Sequence, residues 1–195
     1  MERKKVTIYC ASSPAVDRSY FEATERLAVL LAERDTTIIY GAGRQGLMGC
    51  IADYILANGG KAIGVIPQFM VDRDWCHKGL SELIVTQTMH ERKETMATMA
   101  DAAIALPGGC GTMEELLEII TWKQLGLYPH PIIILNTNGY YNPLLAMLQT
   151  ALDNRFMRDI HAQLWYVANT PEEVIKALDT LPEWDVSLGK FAMVK

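Results

Sequence analysis

Ala102-Ala103-Ile104-Ala105-Leu106-Pro107-Gly108-Gly109-Cys110-Gly111-Thr112-Met113-Glu114-Glu115-Leu116-Leu117-Glu118-Ile119-Ile120 is the stretch whose reading decides the fold. Its apolar opening, Ala102–Leu106, predicts a buried strand. Three glycines then turn the chain into a segment of strong helical periodicity. A strand, a glycine-rich turn and a helix start form a natural anion site, because free backbone N–H groups converge there and the helix dipole favours negative charge. Glycine lets an anion approach the backbone without a Cβ in the way. Thr112-Met113-Glu114-Glu115 carries two readings. One is a capping box, with Thr112 as cap and Glu115 reaching back to its N–H. The other is a catalytic acid pair beside a bound phosphate. Capping leaves Pro107-Gly108-Gly109 and Gly111 unexplained, so the whole stretch favours a site.

Outward from this stretch, apolar runs alternate with helical periodicities along the chain. Strands are expected at Val6–Cys10, Thr36–Tyr40, Lys61–Ile66, Glu82–Thr86, Ile132–Leu135 and Trp165–Ala168. Helices are expected at Ser19–Glu33, Leu47–Asn58, Met89–Met99, from Asn142-Pro143 to about Asp153, and from Thr170-Pro171 to about Leu181. Such alternation predicts an α/β fold: a parallel sheet with helices on both faces, and ligands at the carboxyl ends of its strands. Residues 1–181 read as one domain and 182–195 as an irregular tail.

Several loops then converge on one crevice. Ser12 and Ser13 follow the first strand, where they either present hydroxyls to a ligand or form a simple turn. Gly41-Ala42-Gly43-Arg44-Gln45-Gly46 matches G-x-G-x-x-G, but it follows the second strand, and no acidic residue ends a strand about 20 residues on. It reads as a second loop bringing backbone near the ligand. Residues 67–80, with Asp72, Arg73, Asp74, Trp75 and His77, read as a loop or short helical excursion over the site. Arg92 and Lys93 lie near a helix N-terminus, against the dipole. They read either as a solvated face partnered by Glu91 and Glu94 or as cations facing an anion or an acid.

Composition bounds the function. A 195-residue chain with half its residues hydrophobic supports one substantial core. A net charge of −5 argues against a broad nucleic-acid surface. No apolar run approaches the ~18 residues of a membrane span, and Met1–Lys5 does not open a signal peptide. Cys10, Cys50, Cys76 and Cys110 are scattered, with no metal-ligand spacing, and read as reduced cytoplasmic thiols. Cys110 carries a second reading as a helix-terminal nucleophile, against which stands the lack of a nearby histidine to serve as base. No metal and no cofactor are expected.

Pro107-Gly108-Gly109-Cys110-Gly111-Thr112-Met113-Glu114-Glu115 resembles the P-G-G-x-G-T-x-x-E signature of the LONELY GUY family, cytokinin-activating phosphoribohydrolases often labelled "putative lysine decarboxylase". Met89-His90-Glu91-Arg92-Lys93 is similar to its second motif. Tyr40-Gly41-Ala42-Gly43 with Gly46-Leu47-Met48-Gly49 is similar to its Y-G-G-G…G-L-M-G segment, with Ala42 in place of a glycine. The resemblance runs from about Val6 to Leu181. It implies a Rossmann-like fold, hydrolysis of a purine nucleoside 5′-monophosphate (AMP or an N6-modified AMP) to free base and ribose 5-phosphate, and a homodimer with each active site near the interface. Glu115 matches the family's catalytic glutamate and Arg92 its catalytic arginine. Gly108, Gly109, Cys110, Gly111, Thr112, Met113 and Glu114 match its phosphate- and ribose-binding run, and Lys93 accompanies Arg92. Ser12, Ser13, Gly41 and Gly43 complete the expected substrate-binding set. Asp74 stands where the family usually has a substrate-contacting glutamate, one methylene longer.

Breaking an N-glycosidic bond passes through an oxocarbenium-like state, which a carboxylate beside the sugar stabilises while activating water. Glu115 at a helix start is expected to stay ionised near neutral pH. Two other functions compete. A lysine decarboxylase would need pyridoxal phosphate and a Schiff-base lysine, for which no constellation is visible. A nucleotide or molybdenum-cofactor carrier of the same superfamily would need the phosphate loop but not the acid.

Overall fold

A computed structural model describes residues 4–189. The expected alternation is present throughout. The chain runs β1 (Lys5–Tyr9), α1 (Arg18–Glu33), β2 (Thr37–Tyr40), α2 (Gly46–Ala57), β3 (Lys61–Pro67), α3 (Gln68–Val71), β4 (Glu82–Thr86), α4 (Met89–Thr98), β5 (Ala102–Ala105), α5 (Cys110–Gln124), β6 (Ile132–Leu135), α6 (Asn142–Asp153), β7 (Tyr166–Ala168) and α7 (Pro171–Thr180). Three short 3-10 turns sit at Thr137–Gly139, Asp159–Gln163 and Val186–Gly189.

All seven strands pair in parallel in the order β4-β3-β2-β1-β5-β6-β7. Strand alternation divides the core into two layers. Ile38 and Tyr40, Ile104, and Ile133 and Leu135 pack with α1, α2 and α7 on one face. Ile39, Ala103 and Ala105, and Ile132 and Ile134 pack with α4 and α5 on the other. Burial on both faces is why these strands read as unbroken apolar runs. The winding reverses between β1 and β5, so the loops after those strands diverge and open a crevice at their carboxyl ends.

The helix boundaries depart from expectation where capping was read from sequence. Thr112 does not cap α5. The helix starts three residues earlier than that cap would set it, at Cys110, with Gly109 as N-cap and no side-chain cap bond. Glu115, expected to bond back to Thr112, is the sixth residue of α5 and points elsewhere. α6 starts at Asn142 as expected, with Tyr141 as its N-cap, and Asn142 Oδ1 accepts from Asn136 Nδ2. At α7 the Thr170 side chain does accept from Glu173 N–H. The described part of the tail is anchored: Trp184 is buried, its backbone N–H donates to Pro129 O at 2.7 Å, and the Lys123 ammonium lies 6.0 Å from its ring centroid. Residues 190–195 of the tail, and Met1–Arg3 at the other end, lie outside the described residues.

Candidate active site

A cavity of about 740 Å³ opens at the carboxyl ends of the strands. The loop after β1 contributes Ser12 and Ser13, the glycine loop after β2 contributes Gly41, Gly43, Arg44 and Gln45, and the loop after β5 with the start of α5 contributes Gly109 to Thr112. The 67–80 segment closes over it as expected, with Met70, Arg73 and Trp75 on the wall. That segment is tied down from several sides. Arg44 N–H donates to Trp75 O, His77 N–H donates to Ala42 O, and Arg44 pairs with Asp74 at 3.1 Å.

Glycines bring the two loops close enough to form one cavity. Gly46 has φ +60°, and a Cβ there would fall 2.5–2.7 Å from the backbone of Ser12 and Ser13. Gly41 does a different job. A Cβ on it would lie 1.7 Å from Arg92 Nη2, so the missing side chain is the space the guanidinium occupies. Ala42 also takes a left-handed φ of 58°, which accounts for the glycine that the resembled motif carries there.

Arg92 and Glu115 meet inside this cavity. Arg92 Nη1 donates to Glu115 Oε1 at 3.0 Å, and Arg92 Nε donates to Val65 O at 3.0 Å. The residues are 5% and 6% exposed, so the pair is held in a low-dielectric setting by α4, β3 and α5 together. Burial pushes the Glu115 carboxyl up from the ordinary glutamate value; Arg92 opposes this, while the charge of Glu114 adds to it. The helix start is not what governs this carboxyl. Glu115 lies beyond the first turn, where the dipole has faded, and desolvation dominates.

Lys93 is not on the cavity wall. Its ammonium, on a side chain only 8% exposed, sits 2.5 Å from Glu114 Oε1 and 3.0 Å from Glu118 Oε1. Burial works against its charge, but the two carboxylates outweigh it and hold the ammonium above its ordinary pKa. Lys93 thus ties α4 to α5 and neutralises Glu114, which does line the cavity. Of the two readings, the cations at the start of α4 take the one in which they face acids rather than form a solvated face: Arg92 meets Glu115, and Lys93 meets Glu114 and Glu118.

The remaining expected residues divide. Cys110 and Gly111 line the wall. Gly108 lies behind it, where a Cβ would collide with Thr112 Oγ1 at 2.1 Å. Met113 lies on the outer face of α5, in a shallow depression with Leu117, Glu118 and Thr121. Asp74 reaches only the rim, with its carboxylate between Arg44 and Lys78, both at 3.1 Å. Sequence reasoning did not single out Met48, Ile66, Met70 or Met89, which form an apolar part of the wall. They come from four elements, so no local pattern joins them. Of the four free cysteines, Cys10 and Cys110 line the cavity; burial pushes the Cys10 thiol up and keeps it protonated.

The arrangement can bind an anion at the α5 N-terminus, seat a flat apolar group against the methionines, and place a carboxylate and a guanidinium beside the atoms between them. A family model described as "Possible lysine decarboxylase" matches residues 48–178. The chain is 39% identical over 188 residues to cytokinin riboside 5′-monophosphate phosphoribohydrolase LOG7 of Arabidopsis thaliana, covering 96% of this chain and 87% of that protein. It is 39% identical over 186 residues to cytokinin riboside 5′-monophosphate phosphoribohydrolase LOG of Oryza sativa subsp. japonica, covering 95% and 77%. Among solved structures, the molybdenum cofactor binding protein of Rippkaea orientalis shares the fold with a TM-score of 0.70 at 18% identity, over 93% of this chain and 98% of that one.

Proposed function

The chain belongs to the family of the cytokinin riboside 5′-monophosphate phosphoribohydrolases, and from that premise we propose that it hydrolyses the N-glycosidic bond of a purine nucleoside 5′-monophosphate. The substrate is AMP or an N6-modified AMP, and the products are free base and ribose 5-phosphate. The observation that carries this reading is the buried 3.0 Å contact between Arg92 and Glu115 in the same cavity as the glycine loop. A carrier needs the loop; it has no use for a carboxylate and guanidinium aimed at the middle of its ligand.

The roles follow from the chemistry. The 5′-phosphate sits against the N–H groups of Gly109 to Thr112 at the start of α5, which have no acceptor within the helix. The ribose then lies beside Glu115. As the bond between C1′ and the purine nitrogen lengthens, positive charge spreads over C1′ and the ring oxygen, and the carboxylate stabilises it. Glu115 takes a proton from the attacking water, the hydroxyl adds to C1′, and the purine departs with the electron pair of the broken C1′–N bond and takes up one proton from solvent as Glu115 gives its own back, so that one water is consumed and the carboxylate is restored. Arg92 orients the carboxylate and lends it negative character that desolvation alone would remove. The base lies toward Met48, Ile66, Met70 and Met89, with Trp75 and Arg73 over the mouth.

Decarboxylation of lysine is disfavoured by the wall itself, whose lining includes no lysine among the described residues, while nearby Lys93 is engaged by two carboxylates. A homodimer fits the exposed apolar face of α5, where Met113 and Leu117 adjoin Cys110 and Glu114 of the cavity. A partner seated there would place its surface at the site. A cytoplasmic setting suits the four unpaired thiols. The test is release of free base from a panel of purine nucleoside 5′-monophosphates and the matching nucleosides. Base release from the monophosphates, with the unphosphorylated nucleosides poor substrates, supports the assignment.

A further inference from the structure

Each carbonyl of the glycine loop is held by a partner. Leu106 O accepts from the Tyr141 hydroxyl at 2.6 Å, Pro107 O from Ala11 N–H at 3.2 Å, Gly108 O from the Tyr140 hydroxyl at 2.6 Å, and Gly109 O from Met113 N–H at 3.0 Å. Two of these four donors are adjacent tyrosines from the segment between β6 and α6. Only one of the two controls an N–H that faces the cavity. In a trans peptide the carbonyl and the following N–H point in opposite directions, and no cis peptide occurs among the described residues. Holding Gly108 O on the Tyr140 side, behind the wall, turns Gly109 N–H to the other side, and Gly109 lines the cavity while Gly108 does not. Leu106 O precedes Pro107, which has no N–H to aim.

The Gly108–Gly109 peptide has no side chain on either flank to resist rotation, so it needs an outside hold. If it flipped, a carbonyl oxygen would face the position of the anion. Tyr140 is itself fixed. Its ring meets Tyr20 edge-on at 6.0 Å and Tyr141 at 5.1 Å. Its loop is held by Asn138 Nδ2 donating to Ser19 Oγ at 2.7 Å and by Tyr141 N–H donating to Asn136 Oδ1 at 2.7 Å.

We infer that Tyr140 is a positioning residue for the substrate's phosphate: its hydroxyl locks the Gly108–Gly109 peptide so that an N–H, not a carbonyl, faces the anion. This rests on the cavity being a nucleoside monophosphate site. The test is Tyr140→Phe, which keeps the ring of a residue that is already 38% exposed, so folding is retained. Affinity for ribose 5-phosphate, measured by calorimetry, should weaken about fivefold, the usual effect of losing one such hydrogen bond. KM for the nucleoside monophosphate should rise in parallel, with kcat and the slow turnover of the unphosphorylated nucleoside changed less than twofold. Tyr141→Phe is the control: it loosens the same loop and lowers thermal stability, but leaves ribose 5-phosphate affinity within twofold. Unchanged affinity in Tyr140→Phe, equal weakening in both variants, or a wild-type chain that does not bind ribose 5-phosphate would overturn the inference. The hydrolase reading is judged separately, on base release by the wild type.

Discussion

Arg92 Nη1 and Glu115 Oε1 lie 3.0 Å apart, although 23 residues separate them and each belongs to a different helix. The contact exists because Gly41 leaves room for the guanidinium and Val65 O fixes its other edge. A buried ion pair of this kind is poor evidence for stability, since desolvation offsets much of the attraction. Removing one partner is a different matter. Arg92→Met leaves a buried carboxyl without its cation and should cost on the order of 3 kcal/mol in urea unfolding. The double variant Arg92→Met/Glu115→Gln should regain part of that loss while remaining inactive.

The pH dependence of base release should carry the signature of Glu115. The carboxylate must be ionised to take a proton from water, and burial raises its pKa, so the acid limb of kcat should lie above the ordinary glutamate range. Three charged groups act on it beside desolvation, the largest influence: Arg92 and Lys93 lower it, and Glu114 raises it. In Lys93→Met the charge of Glu114 acts on Glu115 without its neutralising ammonium. The negative form becomes harder to reach, and the acid limb should move to higher pH. Glu114→Gln should move it lower. A kcat profile unchanged in both variants would remove Glu115 from the titration.

Two glycine substitutions should separate catalysis from binding. Gly41→Ala drives a methyl into the guanidinium of Arg92 and should lower kcat by at least about 100-fold, the scale of losing a positioned charge. Gly109 has open space at its Cβ position and an extended backbone that alanine adopts. Gly109→Ala should therefore fold normally and raise KM for the phosphorylated substrate. Steady-state kinetics with the same nucleotide reads both.

Gly46→Ala tests whether the β1 and β2 loops depend on their close approach. The position combines a left-handed φ with backbone atoms at 2.5–2.7 Å, neither of which a side chain can relieve by rotating. A loss of about 2 kcal/mol or more is expected in thermal or urea unfolding.

Most of the fold was legible because it is written locally. Ile132–Leu135 is a strand by its run of apolar residues, and Thr170-Pro171-Glu172-Glu173 starts α7 by its own hydrogen bonds. The site was legible only in part. Thr112-Met113-Glu114-Glu115 has the spacing of a capping box, and nothing within four residues says that Glu115 turns instead to Arg92. Lys93 shares the motif with Arg92, yet helix geometry rotates its side chain by about 100° toward Glu114 and Glu118, away from the cavity. Met48, Ile66, Met70 and Met89 converge only after the sheet has formed. Tyr140 and Tyr141 reach back more than thirty residues to the glycine loop, and no spacing rule links the two.

The most direct test compares wild type with Glu115→Gln on one nucleoside 5′-monophosphate, measuring free base and ribose 5-phosphate together. The glutamine keeps an oxygen for Arg92 and removes only the charge and the ability to take a proton. Wild type should release the two products in equal amounts, and the variant should bind ribose 5-phosphate while kcat falls at least about 100-fold. Full release by the folded variant, or none by the wild type from any purine monophosphate, would contradict a glycosidic hydrolysis built on Arg92 and Glu115.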